Sequence, residues 1–381
     1  MDASPQKNVD RPARRQIIRV FLCGDVMTGR GIDQILPNPC SPRLHEAYVP
    51  SARDYVSLAE QVNGKLPEYA APSYIWGAAL AELNRVRPDV SIINLETSIT
   101  RSDAYIPKGI NYRMSPENAV CLRAAGIDCC VLGNNHVLDW ERAGLLDTLA
   151  TLERLRIKTA GAGHDEAEAG APAILEIEGK GRVLVFSFAC RESGTPSDWA
   201  ATHEAAGVNF LGDFSDETAA AIANKIARIR RPRDLIIISI HWGPNWGYEI
   251  PQEHRRFAHA LVDRANVSVI HGHSSHHAKA IEIYKNRLIL YGCGDFLNDY
   301  EGIHGFEEFR GDLALMYFAG FDGLTGELTD LEMVPLQIRR FQLVPASDTD
   351  IVWMQHILDH ESGKFNVHIR LKSEGRMALS R

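Results

Sequence analysis

Leu235-Ile236-Ile237-Ile238-Ser239-Ile240-His241-Trp242-Gly243 and Val267-Ser268-Val269-Ile270-His271-Gly272-His273-Ser274-Ser275-His276 are the two stretches that decide how this chain is read. Each is a short apolar run that stops on glycine and histidine. Runs of this length, rich in β-branched residues and bounded by turn signals, read as strands buried on both faces, as in a parallel sheet. The segment 252–264 between them reads as the crossover helix that parallel neighbours need. The polar residues therefore fall at the carboxyl ends of the strands, the edge where open α/β sheets place their sites.

The same unit recurs upstream. Ile17-Ile18-Arg19-Val20-Phe21-Leu22 is a predicted strand ended by Gly24-Asp25. A helix over 75–86 leads through Pro88 into Val90-Ser91-Ile92-Ile93, which stops at Asn94-Leu95-Glu96. A helix over 117–125 precedes Cys129-Cys130-Val131-Leu132, ended by Gly133-Asn134-Asn135-His136. Helices at 141–155 and 216–230, a hairpin over 173–178 and 182–188, and a strand-rich stretch over 278–345 follow. A helix near 350–359 and a strand near 365–371 close the chain. Alternating helix and strand implies an α/β fold, and the strand-rich later part implies a layered sandwich. Residues 1–15 read as a disordered tail, 16–345 as one domain, and 346–381 as a helix and strand packed on it. Within the domain, 36–74 carries Pro37, Pro39, Pro42, Pro50, Pro67 and Pro72 and reads as an irregular insertion. Loops that long usually serve a site, so a substrate-facing flap is expected.

The 381 residues carry 41 Lys+Arg against 49 Asp+Glu, a formal charge of -8. Such a chain has no bulk attraction to nucleic acid or anionic lipid, and neither is expected as a partner. No apolar stretch approaches membrane-spanning length, and no signal-peptide pattern opens the chain. The seven cysteines are odd in number and several sit in strand-like runs, which points to reduced thiols in a cytoplasm.

Asp25, Asn94 with Glu96, Asn134-Asn135-His136, His241, and His273 with His276 stand at five strand ends. Carboxylate, amide and imidazole together form a mixed N/O donor set. It suits Zn²⁺, Mn²⁺ or Fe and lacks the thiolates of a structural zinc site. Trp242, Trp246 and Tyr248 follow in a Gly/Pro-rich loop and read as walls of a pocket for an apolar or peptide group.

In order, Gly24-Asp25-Val26-Met27-Thr28-Gly29-Arg30, Asn94-Leu95-Glu96, Gly133-Asn134-Asn135-His136-Val137-Leu138-Asp139, His241-Trp242-Gly243 and Gly272-His273-Ser274-Ser275-His276 resemble the CapA family. That family is named for poly-γ-glutamate capsule synthesis and is similar to the calcineurin-like metallophosphoesterases. The resemblance covers about residues 17–320. It implies a four-layer α/β/β/α sandwich and one or two divalent ions. By the same resemblance Asp25 and His276 ligate a first metal and Glu96 bridges. Asn135 and His241 ligate a second, and His273 joins them. His136 would be the acid/base, Asp139 would orient its ring, and Arg30 would grip a substrate anion through its fork. Three departures stand out, one being that the second motif ends in Glu96 rather than Asp, which lengthens the bridge. Metallophosphoesterases usually carry a metal-binding His two residues after the first Asp, and here that position is Met27. Gly294-Asp295-Phe296 replaces the Gly-Asn-Phe common in the family.

Two reaction types suit such a site. A metal-bound hydroxide could hydrolyse a phosphoester or amide. Alternatively, acid/base residues could invert a Cα beside a metal-held carboxylate or carbonyl, as in the lasso-peptide epimerases that resemble CapA proteins. The donor lost at Met27 weakens hydroxide generation and favours a carboxylate- or amide-bearing peptide. A non-catalytic part in polymer export is the remaining alternative.

Overall fold

The computed structural model describes residues 16–380, so the tail assigned to 1–15 lies outside the described residues. The strands of two large sheets are, in chain order, β1 (Ile17–Val26), β2 (Val90–Leu95), β3 (Cys129–Val131), β4 (Lys158–Ala160), β5 (Ala173–Ile177) and β6 (Gly181–Cys190). They continue as β7 (Leu235–His241), β8 (Val269–His273), β9 (Ile281–Tyr284), β10 (Arg287–Leu290), β11 (Asp295–Leu297), β12 (Leu313–Asp322) and β13 (Leu328–Arg339). The first sheet runs β13-β12-β1-β2-β3-β4, with β11 added beside the end of β1. The second runs β6-β7-β8-β10-β9, with β5 paired to β6. β1 through β4 are parallel, as are β6, β7, β8 and β10.

Three cores hold these sheets. Alternate residues of each strand face opposite ways, so one strand feeds two cores. Val20, Leu22, Ile92 and Val131 of the first sheet meet Val185, Ile237, Val269 and Leu288 of the second. On the outer face of the first sheet, Phe21, Ile93 and Cys130 pack beneath α1 (Arg30–Ile35), α2 (Ala52–Asn63), α3 (Ala79–Val86), α4 (Val120–Ala124) and α5 (Glu141–Arg154). On the outer face of the second, Phe186, Ile236, Ile238 and Ile270 pack beneath α6 (Asp216–Ile229) and α7 (Gln252–Ala265). The result is the expected four-layer α/β/β/α sandwich. Each fully buried aliphatic or aromatic side chain contributes about 1.5–3 kcal/mol to it.

Three expectations need correction. The 36–74 insertion is not irregular throughout, because α2 occupies Ala52–Asn63. Its prolines bracket the helix instead of interrupting it, and Ser51 caps it by accepting from the Arg53 amide at 3.3 Å. The helix expected over 75–86 is broken at Gly77, whose φ is +41° and where a Cβ would lie 2.0 Å from the Leu343 carbonyl oxygen. The closing strand is two strands, Ile369–Leu371 and Met377–Leu379, the second paired with β13. They follow α8 (Asp348–Gly363), whose Ser362 hydroxyl accepts from the Ile281 amide at 3.0 Å. All seven cysteines are buried and free. Among the described residues no helix is long and apolar enough to cross a membrane.

Candidate metal centre

The centre forms where the carboxyl ends of the two sheets meet. In the first sheet Asp25 is flanked by Asn94 of β2 and Asp295 of β11. In the second, His241 and His273 are direct neighbours on β7 and β8. Within the first sheet β1 closes tightly on the start of β11 at Gly24, where a Cβ would lie 1.6 Å from the Gly294 carbonyl oxygen. Only glycine permits that approach, and it lets the Asp25 amide donate to the same carbonyl at 2.9 Å.

His241 Nδ1 lies 2.7 Å from His273 Nδ1, which lies 4.0 Å from Asp25 Oδ1. His241 Nε2 is 3.1 Å from Asn135 Oδ1 and 3.7 Å from Glu96 Oε1. Around this group the Asn94 amide donates to Asp25 at 2.7 Å and to Glu96 at 3.3 Å. Asn134 donates to Asn94 Oδ1 at 2.9 Å and accepts from the His136 and Val137 amides at 3.1 Å. Asn94 and Asn134 thus brace the carboxylates and the loop that carries Asn135 and His136.

A buried chain of hydrogen bonds settles which nitrogen of His273 faces the centre. His271 Nε2 is 2.7 Å from the Cys23 carbonyl oxygen and must donate to it. Its Nδ1 is then an acceptor, so Ser239 Oγ, 3.1 Å away, donates to it. Ser239 Oγ in turn accepts from His273 Nε2–H at 2.8 Å. His273 Nδ1 is left with its lone pair toward Asp25 and His241. The assignment holds for neutral rings, and burial pulls His271 down to about 4 and lowers His241 and His273 as well. Such second partners orient metal-binding imidazoles.

The carboxylates supply the opposite charge. Burial, then Asp295, pushes Asp25 up to about 7. Burial, Asp25 and Asp295 raise Glu96. His276 Nδ1 lies 2.9 Å from Asp295 Oδ1; burial pulls this imidazole down, but Asp295 outweighs it and the net shift is upward. Asp25, His241 and His273 present donor atoms within 4.8 Å of one another. Two imidazoles, a carboxylate and crowded acids that repel one another suit a borderline divalent ion.

Beside this cluster His136 Nδ1 is 2.7 Å from Asp139 Oδ2, and its Nε2 is 3.8 Å from Glu96 Oε1. Asp139 also accepts from the Tyr112 amide at 2.6 Å and pairs with Lys108 Nζ at 2.7 Å. Lys108 reaches the Asn135 carbonyl oxygen too. Burial pulls His136 down to about 4; Asp139 opposes the shift and Lys108 adds to it.

Two expected substrate residues are bonded to other parts of the protein. The Arg30 fork is already filled: Nε and Nη2 bind Asp299, and Nη1 binds Glu46 at 3.0 Å and Tyr55 at 2.9 Å. Its guanidinium lies over the Tyr55 ring at 3.9 Å, closing it to a substrate anion. Trp242 is 2% exposed, stacks on His254 and donates to the Tyr291 carbonyl at 2.9 Å, inside the outer core of the second sheet. Trp246 does stay beside the centre, its ring 5.2 Å from that of His276. His276 is not one of the three converging donors and is held between Asp295 and Asn245. Ser239, Lys108 and Asp299 were given no role by sequence reasoning, and Asp295 was noted only as a departure.

Residues 19–300 match the family described as bacterial capsule synthesis protein PGA_cap. The chain belongs to this family. Within it, the chain is 43% identical over 355 residues to a "Probable polyglutamine synthesis accessory protein" of Mycobacterium tuberculosis, covering 93% of each. It is 23% identical over 331 residues to the PGA biosynthesis protein CapA of Bacillus subtilis, covering 86% of this chain and 74% of that one. Among solved structures it is similar to a phosphatase of Mycoplasma pneumoniae, with TM-score 0.46 and 12% identity over 85% of this chain and 94% of that one.

Proposed function

We propose that this PGA_cap family member is a divalent-metal enzyme acting on a carboxylate- or amide-bearing peptide, with His136 as the proton-transferring group. The observation that carries this reading is the His136–Asp139 pair, 2.7 Å apart, standing beside the converged Asp25, His241 and His273. These three residues would hold the ion, with Asn135 and Glu96 adjoining, and Asp295 with His276 would serve a second ion if one binds. Once bound, a divalent ion polarises a substrate oxygen as a Lewis acid. The protein supplies the rest. Asp139 takes the Nδ1–H of His136, leaving the Nε2 lone pair on the side of Glu96. Lys108 pins Asp139, and its positive charge helps keep the imidazole neutral at pH 7, ready to accept a proton. Removal of the Cα proton by His136 and return of a proton on the opposite face would epimerise the residue; a proton taken by His136 from water attacking the amide carbon and passed to the leaving amine would hydrolyse the bond.

Met27 supports peptide chemistry over phosphoester hydrolysis. Its sulfur accepts from the Tyr300 hydroxyl at 3.4 Å, where a metallophosphoesterase would offer an imidazole. The unpaired cysteines support a reducing compartment, the cytoplasm. A second reading, an accessory part in polyglutamine synthesis, is favoured by the name of the mycobacterial relative.

Incubating peptides with the protein and Mn²⁺ in D₂O separates these readings. A one-dalton gain at Cα marks epimerisation and a cleaved product marks hydrolysis, each lost in His136→Ala. Robust turnover of p-nitrophenyl phosphate that disappears in His136→Ala would restore the phosphoesterase reading. No turnover of any substrate would leave the accessory one.

A further inference from the structure

A cavity of about 430 Å³ lies against the metal centre. Trp246, Asn298 and Tyr300 line it and also border the centre. Asn298 donates to Asp295 Oδ2 at 2.7 Å, and the Tyr300 ring is 5.6 Å from that of His276. Farther out, Trp246 stacks on Phe306, ring centroids 4.4 Å apart and planes 9° from parallel, which makes one flat aromatic wall. Phe306 and Ile303 at the rim are 49% and 48% exposed, so apolar surface is left uncovered there.

The charges around the cavity are unfavourable to an anion. Arg310 is held by Asp312 and Asp350, each at 2.7 Å, whereas Arg339 gives only its Nε, to the neutral Asn63 amide at 3.0 Å. Glu301, Glu307 and Asp312 also line it, so acids outnumber these two arginines. A segment of polyglutamate placed here would meet more like charge than opposite charge, Arg339 being the one lining arginine without a carboxylate partner. A volume of this size is typical of a small-molecule pocket.

We infer that this cavity is the side-chain subsite of the substrate, and that it takes a neutral apolar group, aromatic or branched aliphatic, in preference to a polyglutamate segment. The placing of the substrate's polar end at the metal centre rests on the reading under Proposed function; the chemistry of the cavity does not.

Calorimetric titration of the full chain loaded with Mn²⁺ tests this with three probes. They are the dipeptide Ala-Phe, N-acetylphenylalaninamide and tri-γ-glutamate. Ala-Phe should bind best and tri-γ-glutamate worst. Phe306→Ala, at a half-exposed position, should weaken both phenylalanine probes about tenfold without changing metal content. Ile303→Lys should weaken them too and improve tri-γ-glutamate. The inference is overturned if tri-γ-glutamate binds the parent more tightly than Ala-Phe. It is equally overturned if neither substitution alters binding of the phenylalanine probes. Should the chain take up no Mn²⁺, or Ala-Phe bind no better than the amide, the metal reading fails alone. The amide's response to Phe306→Ala then still decides the cavity.

Discussion

Ser239→Ala removes one buried hydroxyl and tests the orientation of the metal centre. Ser239 is fully buried and links His271 to His273 at 3.1 and 2.8 Å. Without it, His273 Nε2–H loses its acceptor and His271 Nδ1 loses its donor. His271 cannot compensate by changing tautomer, since Nε2 must still donate to the Cys23 carbonyl. Each buried group left unpaired costs about 1–3 kcal/mol, so the metal-free fold should lose about 2–6 kcal/mol in urea denaturation. His273 is also freed to move its proton to Nδ1, which would block the lone pair facing Asp25. Loss of such a second partner typically costs 10–100-fold in metal affinity, and a chelator-competition titration should find about that. Ser239→Thr keeps the hydroxyl and should recover most of the affinity. An affinity within twofold of the parent in Ser239→Ala would refute the orientation argument even if stability fell.

The remaining expectations concern the ligands, the charge and Arg30. His241→Ala or His273→Ala should cut bound metal while far-UV circular dichroism stays native; unchanged stoichiometry by elemental analysis in both would remove the site. Asp25, raised from 3.8 to about 7, favours the metal-free fold most fully below about pH 4, and that contribution is lost as pH rises through 7. Because the ion must displace this proton, metal affinity should weaken about tenfold per pH unit below 7; a pH-independent affinity between pH 5 and 7 would contradict it. Arg30→Lys keeps the charge but not the fork on Asp299, and should cost about 1–3 kcal/mol in thermal unfolding. Altered substrate binding with unchanged stability would return Arg30 to the substrate. Asp139→Asn should lower turnover at least tenfold with metal content intact, since His136 loses the acceptor that fixes its tautomer.

Much of the architecture was legible because apolar runs stop at polar residues, most of them close to a glycine. Each such stop marked the carboxyl end of a strand. What remained hidden depends on partners distant in sequence. Arg30 looked free for a substrate because Asp299, the residue that fills its fork, is 269 positions away. α2 was missed because proline density was read without asking whether the prolines lay inside a helical span.

Strand parity carried information that composition did not. On β7, Ile236, Ile238, Ile240 and Trp242 alternate into the outer core, while Ile237 faces the other sheet. Ser239 and His241 share the parity of Ile237, as His271 and His273 share that of Val269. Parity alone therefore sends Trp242 beneath the helices and gathers the Ser239–His271–His273 relay and His241 on one face. The same count fails for Asp25. Val20 and Leu22 face the second sheet, so an unbroken strand would turn Asp25 away with Phe21 and Cys23. In the structure Leu22 pairs with Ile92 but Asp25 pairs with Asn94, three steps on one strand against two on the other. The extra residue reverses the facing of β1 at its end and aligns Asp25 with Asn94 toward the histidines. A bulge of this kind leaves no mark in apolar periodicity, and it is what joins the carboxylates of one sheet to the imidazoles of the other.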